Sequence, residues 1–486
     1  MESQSMMKLV PYHILEVKKE LFLYVTSLCQ FYRIDIPTAE FLNLCLDYSF
    51  AEAKERFIKL DKYSKNTVNE VIIDVSQLVK QGLFSVPDYS ISVSDMEKQL
   101  EQRYSTVWNK LELALSEACN LACKYCYCST VRDMPQQGLM NEEIARLAIT
   151  WLFAVSGKSE NISITFFGGE PLLNKSVLRF AINYSQQLAK LHGKKVFYSM
   201  TTNGTLLDDE VITFIKRYNF GLMVSLDGPP EIHNRQCPTQ GGNGSYDLAV
   251  AGIRKLMARR RSVTVRCTMT HPIPNMLDLI KFFEEFGFTR IVLGRTVNPV
   301  LPSPMDFRED DFVEALRQER EEIIPWIIQK LAKDEKPKYF PYANFIDNQE
   351  KGELSQPINN PFRCGACRGT TTVGADGTLY PCHRFVGMEA WKIGDIKSGP
   401  DYEKCKQFWR NYRESIAGYC DKCWMWAQCH GPCPWEIAQA DGSFKLNPKQ
   451  CKQTEDYLAS ACYVLFKKMD LSSIDARFVK TNIEDF

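Results

Sequence analysis

The sequence predicts an α/β chain built on a partial (β/α)6, TIM-like barrel, with an N-terminal winged-helix-like domain before it and a Cys-rich domain after it. Three observations carry this. Between residues 105 and 295, short apolar runs of strand length alternate with amphipathic runs of helix length. The polar and Gly-rich motifs of that region fall just after the strands, where such barrels place their chemistry. Cysteines cluster in one loop after the first strand and again beyond residue 361.

The barrel strands are expected at Leu111–Ser116, Asn161–Phe167, Val196–Thr202, Phe220–Leu226, Ser262–Met269 and Arg290–Leu293. Helices are expected at Glu142–Val155 behind an Asn141 cap, Lys175–Leu191, Asp208–Tyr218, Tyr246–Arg259 and Asn275–Phe286. Such succession implies a parallel sheet curled as most of a barrel. In residues 1–90 the runs Val10–Val17, Leu21–Leu28 and Phe31–Ile36 predict two or three strands. Val68, Val71, Ile72, Val75, Leu78 and Val79 then share one helical face that stops at Gly82. Strands followed by helices suggest the winged-helix-like unit, either a structural appendage or a module whose edge strand accepts an extended peptide. Pro87–Tyr104 reads as a linker with one short helix, and residues 296–360 as a bridge with a long helix over Asp310–Lys333. Residues 361–486 form the Cys-rich domain.

With 486 residues the chain suits about three domains at ~150 residues each. A formal net charge of zero gives no reason to expect nucleic acid or an acidic membrane surface. Met1–Tyr12 lacks the pattern of a signal peptide, and no run reaches the ~20 apolar residues of a membrane span. A cytoplasmic protein is expected, where 18 clustered cysteines read as metal ligands rather than disulfides.

Cys119-Asn-Leu-Ala-Cys123-Lys-Tyr-Cys126 has the spacing CxxxCxxC, which composition alone would produce about 0.02 times. Three thiolates on one loop can hold three irons of a four-iron cluster and leave the fourth open to chemistry; spacing alone also allows zinc or a disulfide. Gly168-Gly169-Glu170-Pro171 follows the second strand, Thr202-Asn203-Gly204 the third and Ser225-Leu226-Asp227-Gly228 the fourth, while Arg266 lies in the fifth. Glycines let backbone approach a ligand, Glu170 can accept from an ammonium, and Ser225, Asp227 and Arg266 can bind hydroxyls and a carboxylate. The second set is Cys364, Cys367, Cys382, Cys420, Cys423, Cys429, Cys433 and Cys451. Its CxxC-type knuckles suit zinc, and eight thiolates equally suit two four-thiolate iron–sulfur clusters. Trp391, Trp424, Trp426 and Trp435 would exclude water there.

Together the Cys loop, GGEP and SLDG motifs resemble the radical S-adenosylmethionine (SAM) enzymes over residues 111–294. The resemblance implies a 4Fe-4S cluster on Cys119, Cys123 and Cys126 whose open iron binds SAM. It places Tyr125 at the adenine, Gly168, Gly169, Glu170 and Pro171 at the methionine ammonium, Ser225 at the ribose or carboxylate, and Arg266 at the carboxylate. Asn203 and Asp227 stand with them as cofactor-binding candidates. The later spacing resembles the SPASM domain. That implies auxiliary 4Fe-4S clusters on Cys364, Cys367, Cys382 and Cys433 and on Cys420, Cys423, Cys429 and Cys451, three clusters in all.

Sulfatase maturases carry Asp after the Cys of their YPC motif, whereas Tyr380-Pro381-Cys382 is followed here by His383. Cys364-Gly-Ala-Cys-Arg and Cys382-His-Arg-Phe-Val-Gly look instead like maturases that form Cys-to-carbon thioethers, including the one acting on the small subunit of quinohemoprotein amine dehydrogenase. Those usually show CGAG; here Cys367 replaces the last Gly and would close the first auxiliary cluster. His383 is the candidate base, or else a hydrogen-bonding neighbour of that cluster. Cys128, Cys237, Cys267, Cys405 and Cys462 are spare and read as packed thiols, with Cys128 and Cys237 close to the mouth. The implied partners are a peptide or small protein bound through its leader and an electron donor such as flavodoxin or ferredoxin. Rival readings are a carbon–carbon or carbon–oxygen crosslink or an oxidation, and a non-catalytic iron–sulfur or zinc adaptor that would not need GGEP, Ser225 and Arg266.

Overall fold

The computed structural model describes residues 12–17, 19–25, 30–81, 92–104, 108–128, 138–260, 262–297, 303–340, 342–344, 362–421, 423–424, 426–448, 451 and 464. Strands β1 (Tyr12–Val17), β2 (Glu20–Val25) and β3 (Gln30–Ile34) form an antiparallel sheet in that order. Helices α1 (Ile36–Asp47), α2 (Phe50–Lys59) and α3 (Lys65–Lys80) follow. Side-chain caps start each helix: Asp35 accepts from Thr38 N at 2.9 Å, Ser49 and Glu52 form a capping box, and Ser64 accepts from Thr67 N at 3.1 Å. Period-2 alternation gives β2 two apolar faces. Leu23 and Val25 pack with Phe41, Leu42, Val71 and Val75, whereas Phe22 and Tyr24 join the main core with Met96 and Leu100 of α4 (Val93–Tyr104). Gly82, the expected stop of α3, lies outside the described residues.

Six parallel strands run in sequence order: β4 (Lys110–Ser116), β5 (Asn161–Gly168), β6 (Lys195–Thr202), β7 (Gly221–Ser225), β8 (Thr264–Met269) and β9 (Arg290–Arg295). Between them lie α5 (Glu142–Val155), α6 (Lys175–His192), α7 (Asp209–Arg217), α8 (Pro230–Gln236), α9 (Tyr246–Met257) and α10 (Met276–Phe286). Alternate strand residues such as Ile162, Ile164, Phe166, Val224 and Val265 are fully buried with helix residues Ala181, Ile182 and Ile253. Their neighbours Thr165, Phe167, Ser199, Met223, Ser225 and Arg266 are only half-buried. The concave inner face is therefore the accessible one.

The sheet does not stop at the barrel. β10 (Tyr339–Phe340) adds parallel to β9, and β11 (Thr370–Val373) adds parallel to β4 on the opposite edge, followed by antiparallel β12 (Thr378–Tyr380), β13 (Gly394–Asp395) and β14 (Gly399–Pro400). The Cys-rich region is thus stitched into the sheet beside the strand that leads to the Cys loop. The helix expected over Asp310–Lys333 is divided into α11 (Glu309–Gln318), a π-helical turn at Glu319–Ile323 and α12 (Ile324–Leu331). Pro325 explains the division, because it supplies no backbone N–H to a continuous ladder. The helix α13 (Tyr402–Cys420) packs on α4 through the ion pairs Arg410–Glu97 and Lys406–Glu101. No described helix is long and apolar enough to cross a membrane.

Candidate active site

Beyond β4 the chain turns into the Cys loop. Cys119, Cys123 and Cys126 are half-buried, with Leu121 N donating to Cys119 Sγ at 3.4 Å and Cys126 N to Cys123 O at 3.1 Å. Burial pushes the Cys119 thiol up to about 12, and Glu170, Cys123 and Cys126 are near enough to add to it. The GGEP segment lies directly on this loop: Gly169 N donates to Ser116 O at 2.7 Å and Glu170 N to Ala118 O at 3.0 Å. Gly168 has φ +138°, and a Cβ there would sit 2.1 Å from Ser116 O; at Gly169 it would sit 2.3 Å from Ala118 O. The glycines admit the backbone of the Cys loop at close range.

The buried Glu170 carboxylate takes three donors from within the chain: Oε1 accepts from Leu172 N at 3.0 Å and Thr202 Oγ1 at 2.8 Å, and Oε2 accepts from Asn203 N at 2.8 Å. Pro171 is buried at the start of the 3₁₀ turn Pro171–Asn174. This ties the ends of β5 and β6 and sets Asn203, whose Nδ2 lies 3.7 Å from Cys119 Sγ and donates to Asn120 Oδ1 at 2.9 Å. Burial raises Glu170 from 4.5 to about 7 despite its three donors. A carboxyl whose folded pKa is raised holds its proton more tightly when folded, so its stabilising effect is present at low pH and is lost as pH rises from 4.5 towards 7. Anaerobic urea denaturation at about pH 5 and about pH 8 should show a component of up to about 3 kcal/mol lost on raising the pH, flattened in Glu170→Gln.

Asp227 is the hub of a second network. Oδ2 accepts from Tyr125 Oη at 2.8 Å and from Cys237 Sγ at 3.2 Å, and Oδ1 accepts from Thr268 N at 2.8 Å. Asp227 N donates to His233 Nδ1 at 3.1 Å, so the proton of this imidazole is on Nε2, which faces Ser245 Oγ at 3.1 Å. Burial lowers the His233 pKa, which keeps the ring neutral. The buried Cys237 thiol, hydrogen-bonded with Cys123, is held well above its ordinary pKa. Tyr125, expected at an adenine, is thus braced by Asp227, and Cys237 enters the site beside Cys123.

On the inner face Ser225 and Arg266 face each other in register across β7 and β8. The Arg266 guanidinium lies over Gly294 of β9, where a Cβ would come within 2.4 Å of Nη2. A cavity of about 230 Å³ opens there, lined by Arg266, Arg295, Arg384, Cys429, Cys433 and Cys451. His383 is fixed nearby: its backbone N donates to Glu112 Oε2 at 3.1 Å, its Nδ1 lies 3.2 Å from the same oxygen, and its ring lies 4.1 Å from Phe167. Burial pushes Glu112 upward, but His383 and Thr372 outweigh it and hold the carboxyl below the usual range. Glu112 carried no signal in the sequence, since it reads as an ordinary polar position of a strand.

The later cysteines, interleaved along the chain, gather in two places. Cys382 has Cys364 and Cys433 as charge neighbours, and Cys367 has Cys364, Cys382 and the spare Cys405. Cys420 has Cys423, Cys429 and Cys451. Buried side-chain donors without acceptors among the described residues lie near them: the indole N–H groups of Trp426 and Trp435 and Nε and Nη1 of Arg413. Orphaned donors beside thiols fit an anionic, sulfur-rich group, because sulfide and thiolate would accept from them.

Residues 113–286 match the Radical SAM superfamily. The chain is 27% identical over 292 residues to a cysteine-type anaerobic sulfatase-maturating enzyme of Clostridium novyi, covering 58% of this chain and 75% of that protein. It is 22% identical over 355 residues to the radical SAM cyclopropyl synthase TigE of Paramaledivibacter caminithermalis, covering 70% of each. In fold it is similar to the solved structure described as native anSMEcpe with bound AdoMet, with a TM-score of 0.59 at 20% identity over 74% of this chain and 99% of that one. The thiol loop after β4 and the Gly-Gly-Glu brace on it lie within the 113–286 match to the Radical SAM superfamily.

Proposed function

We propose that the chain is a radical SAM peptide maturase that forms Cys-to-carbon thioether crosslinks within a ribosomally made peptide or small protein subunit. On this reading β1–β3 with α1–α3 are a winged-helix-like unit that binds the leader, and residues 361–486 are a SPASM domain holding two auxiliary 4Fe-4S clusters. One observation supports it: Cys429 and Cys451 of one later thiol set and Cys433 of the other line the same cavity as Arg266, which is in register with Ser225. When bound, the cluster on Cys119, Cys123 and Cys126 with SAM supplies a 5′-deoxyadenosyl radical able to take hydrogen from an unactivated carbon. Asn203 directs an N–H at the Cys119 sulfur, Arg266 offers its guanidinium to the SAM carboxylate, and Ser225 offers a hydroxyl in register beside it. His383, with Nδ1 against Glu112, leaves Nε2 to receive the proton of a substrate thiol. The names of the relatives, which include sulfatase-maturating enzymes and a cyclopropyl synthase, support a protein or peptide substrate. Electrons would come from a flavodoxin or ferredoxin.

Anaerobic co-expression with a Cys-containing peptide encoded beside the gene tests this by intact mass and thiol count. Loss of two hydrogens per event with one fewer alkylatable thiol is the expected result. The likeness to sulfatase maturases favours a second reading, oxidation of a single residue; loss of the sulfur itself with no crosslink would select it. The same mass loss with all thiols retained would move the bond to carbon–carbon or carbon–oxygen chemistry.

A further inference from the structure

We propose that Arg413 donates into the thiol set of Cys420, Cys423, Cys429 and Cys451 and raises the reduction potential of the group held there. The inference rests on the reading that this set holds an iron–sulfur cluster, and it adds a residue that no ligand spacing points to. Arg413 and Cys420 are seven residues apart on α13, two turns along the same helix face. The Arg413 side chain is 4% exposed. One edge of its guanidinium is anchored, because Nη2 donates to Asp421 Oδ1, and its Cζ lies 5.4 Å from the Trp426 ring centroid. Nε and Nη1 remain, buried and without an acceptor among the described residues.

Leaving two charged N–H groups dry and unpaired is costly, and an arginine cannot relieve the cost by losing its proton. Thiolate and sulfide sulfur at this set would satisfy both. A fixed cation that also hydrogen-bonds to sulfur favours the more electron-rich state of a cluster, so the potential rises. Asp421 works in the opposite sense. Its carboxylate partly neutralises the guanidinium, and Asn in its place removes that charge while keeping an oxygen to accept from Nη2.

The test is an EPR-monitored redox titration of the anaerobically reconstituted full chain, with iron counted in every variant. Arg413→Leu is expected to move one midpoint to more negative potential at unchanged iron content. Arg413→Lys, which retains the charge and loses the fork, is expected between Leu and wild type. Asp421→Asn is expected to move the same midpoint the other way. Coincident midpoints for Arg413→Leu and wild type at full iron content, or shifts of Arg413→Leu and Asp421→Asn in the same direction, overturn the proposal. Should Arg413→Leu fail to load iron, the Lys and Asn variants still decide the outcome by their signs. Cys420→Ala with Cys423→Ala separates the underlying reading: if that double variant loses no iron, the set holds no cluster and the proposal fails with it.

Discussion

Replacing Cys119, Cys123 and Cys126 together with Ala is expected to abolish reductive SAM cleavage while retaining most of the iron. The three thiols lie on one loop directly after β4, half-buried and mutually close. About four irons should be lost and those of the auxiliary sets retained. Cys237 touches Cys123 but is held protonated by that contact, burial and Asp227, so it is a poor substitute ligand. The measurement is 5′-deoxyadenosine produced with dithionite, beside an iron count. Cleavage that persisted in the triple variant would remove the catalytic assignment of this loop.

A single methyl group at Gly168 or Gly169 should be nearly as damaging, by a different route. At Gly168 a side chain meets both a backbone angle that L residues rarely adopt and a carbonyl oxygen at 2.1 Å, which is fixed main chain rather than a side chain that can turn away. Strain and overpacking together amount to roughly 4 kcal/mol. The brace from Gly169 and Glu170 to Ser116 and Ala118 would open, releasing the start of the Cys loop from the end of β5. Gly168→Ala and Gly169→Ala are thus expected to lower the thermal midpoint and to load less iron at the first site. A variant with wild-type melting and iron content would show that the loop does not depend on this contact.

The barrel was legible because its signals are local. Asn141 accepts from Ile144 N as a cap should, α5 has the bounds that its pattern predicts, and the six central strands fall within a few residues of their apolar runs. The roles within the motifs were less legible, because GGEP shows which residues are present and not which neighbour they serve. A Gly-Gly turn that admits a ligand and one that admits a second loop have the same letters. Glu170 and Asp227 also accept donors of the chain itself, and which donors those are cannot be read from the motif letters. Glu112 and Arg413 were missed for a related reason. His383 comes from 271 residues away and Trp426 from beyond the end of α13, where periodicity cannot place them beside Glu112 and Arg413. β11 was missed because its four residues Thr370–Val373 pair with β4 from far along the chain, a partner that local pattern cannot show.

That short strand has a consequence for how the molecule is made. Thr372 of β11 donates to Glu112 of β4 across 260 residues of chain. On a ribosome adding ~10 residues per second, β4 would wait roughly half a minute with one edge unpaired, although β5 to β9 could already have closed on its other side. An open edge is a template for pairing with foreign strands. The strand that launches the Cys loop is therefore among the last to be secured. A nascent chain released before about residue 373 would offer a nearly complete barrel with an adhesive seam, and the Cys-rich segment closes that seam from its own backbone.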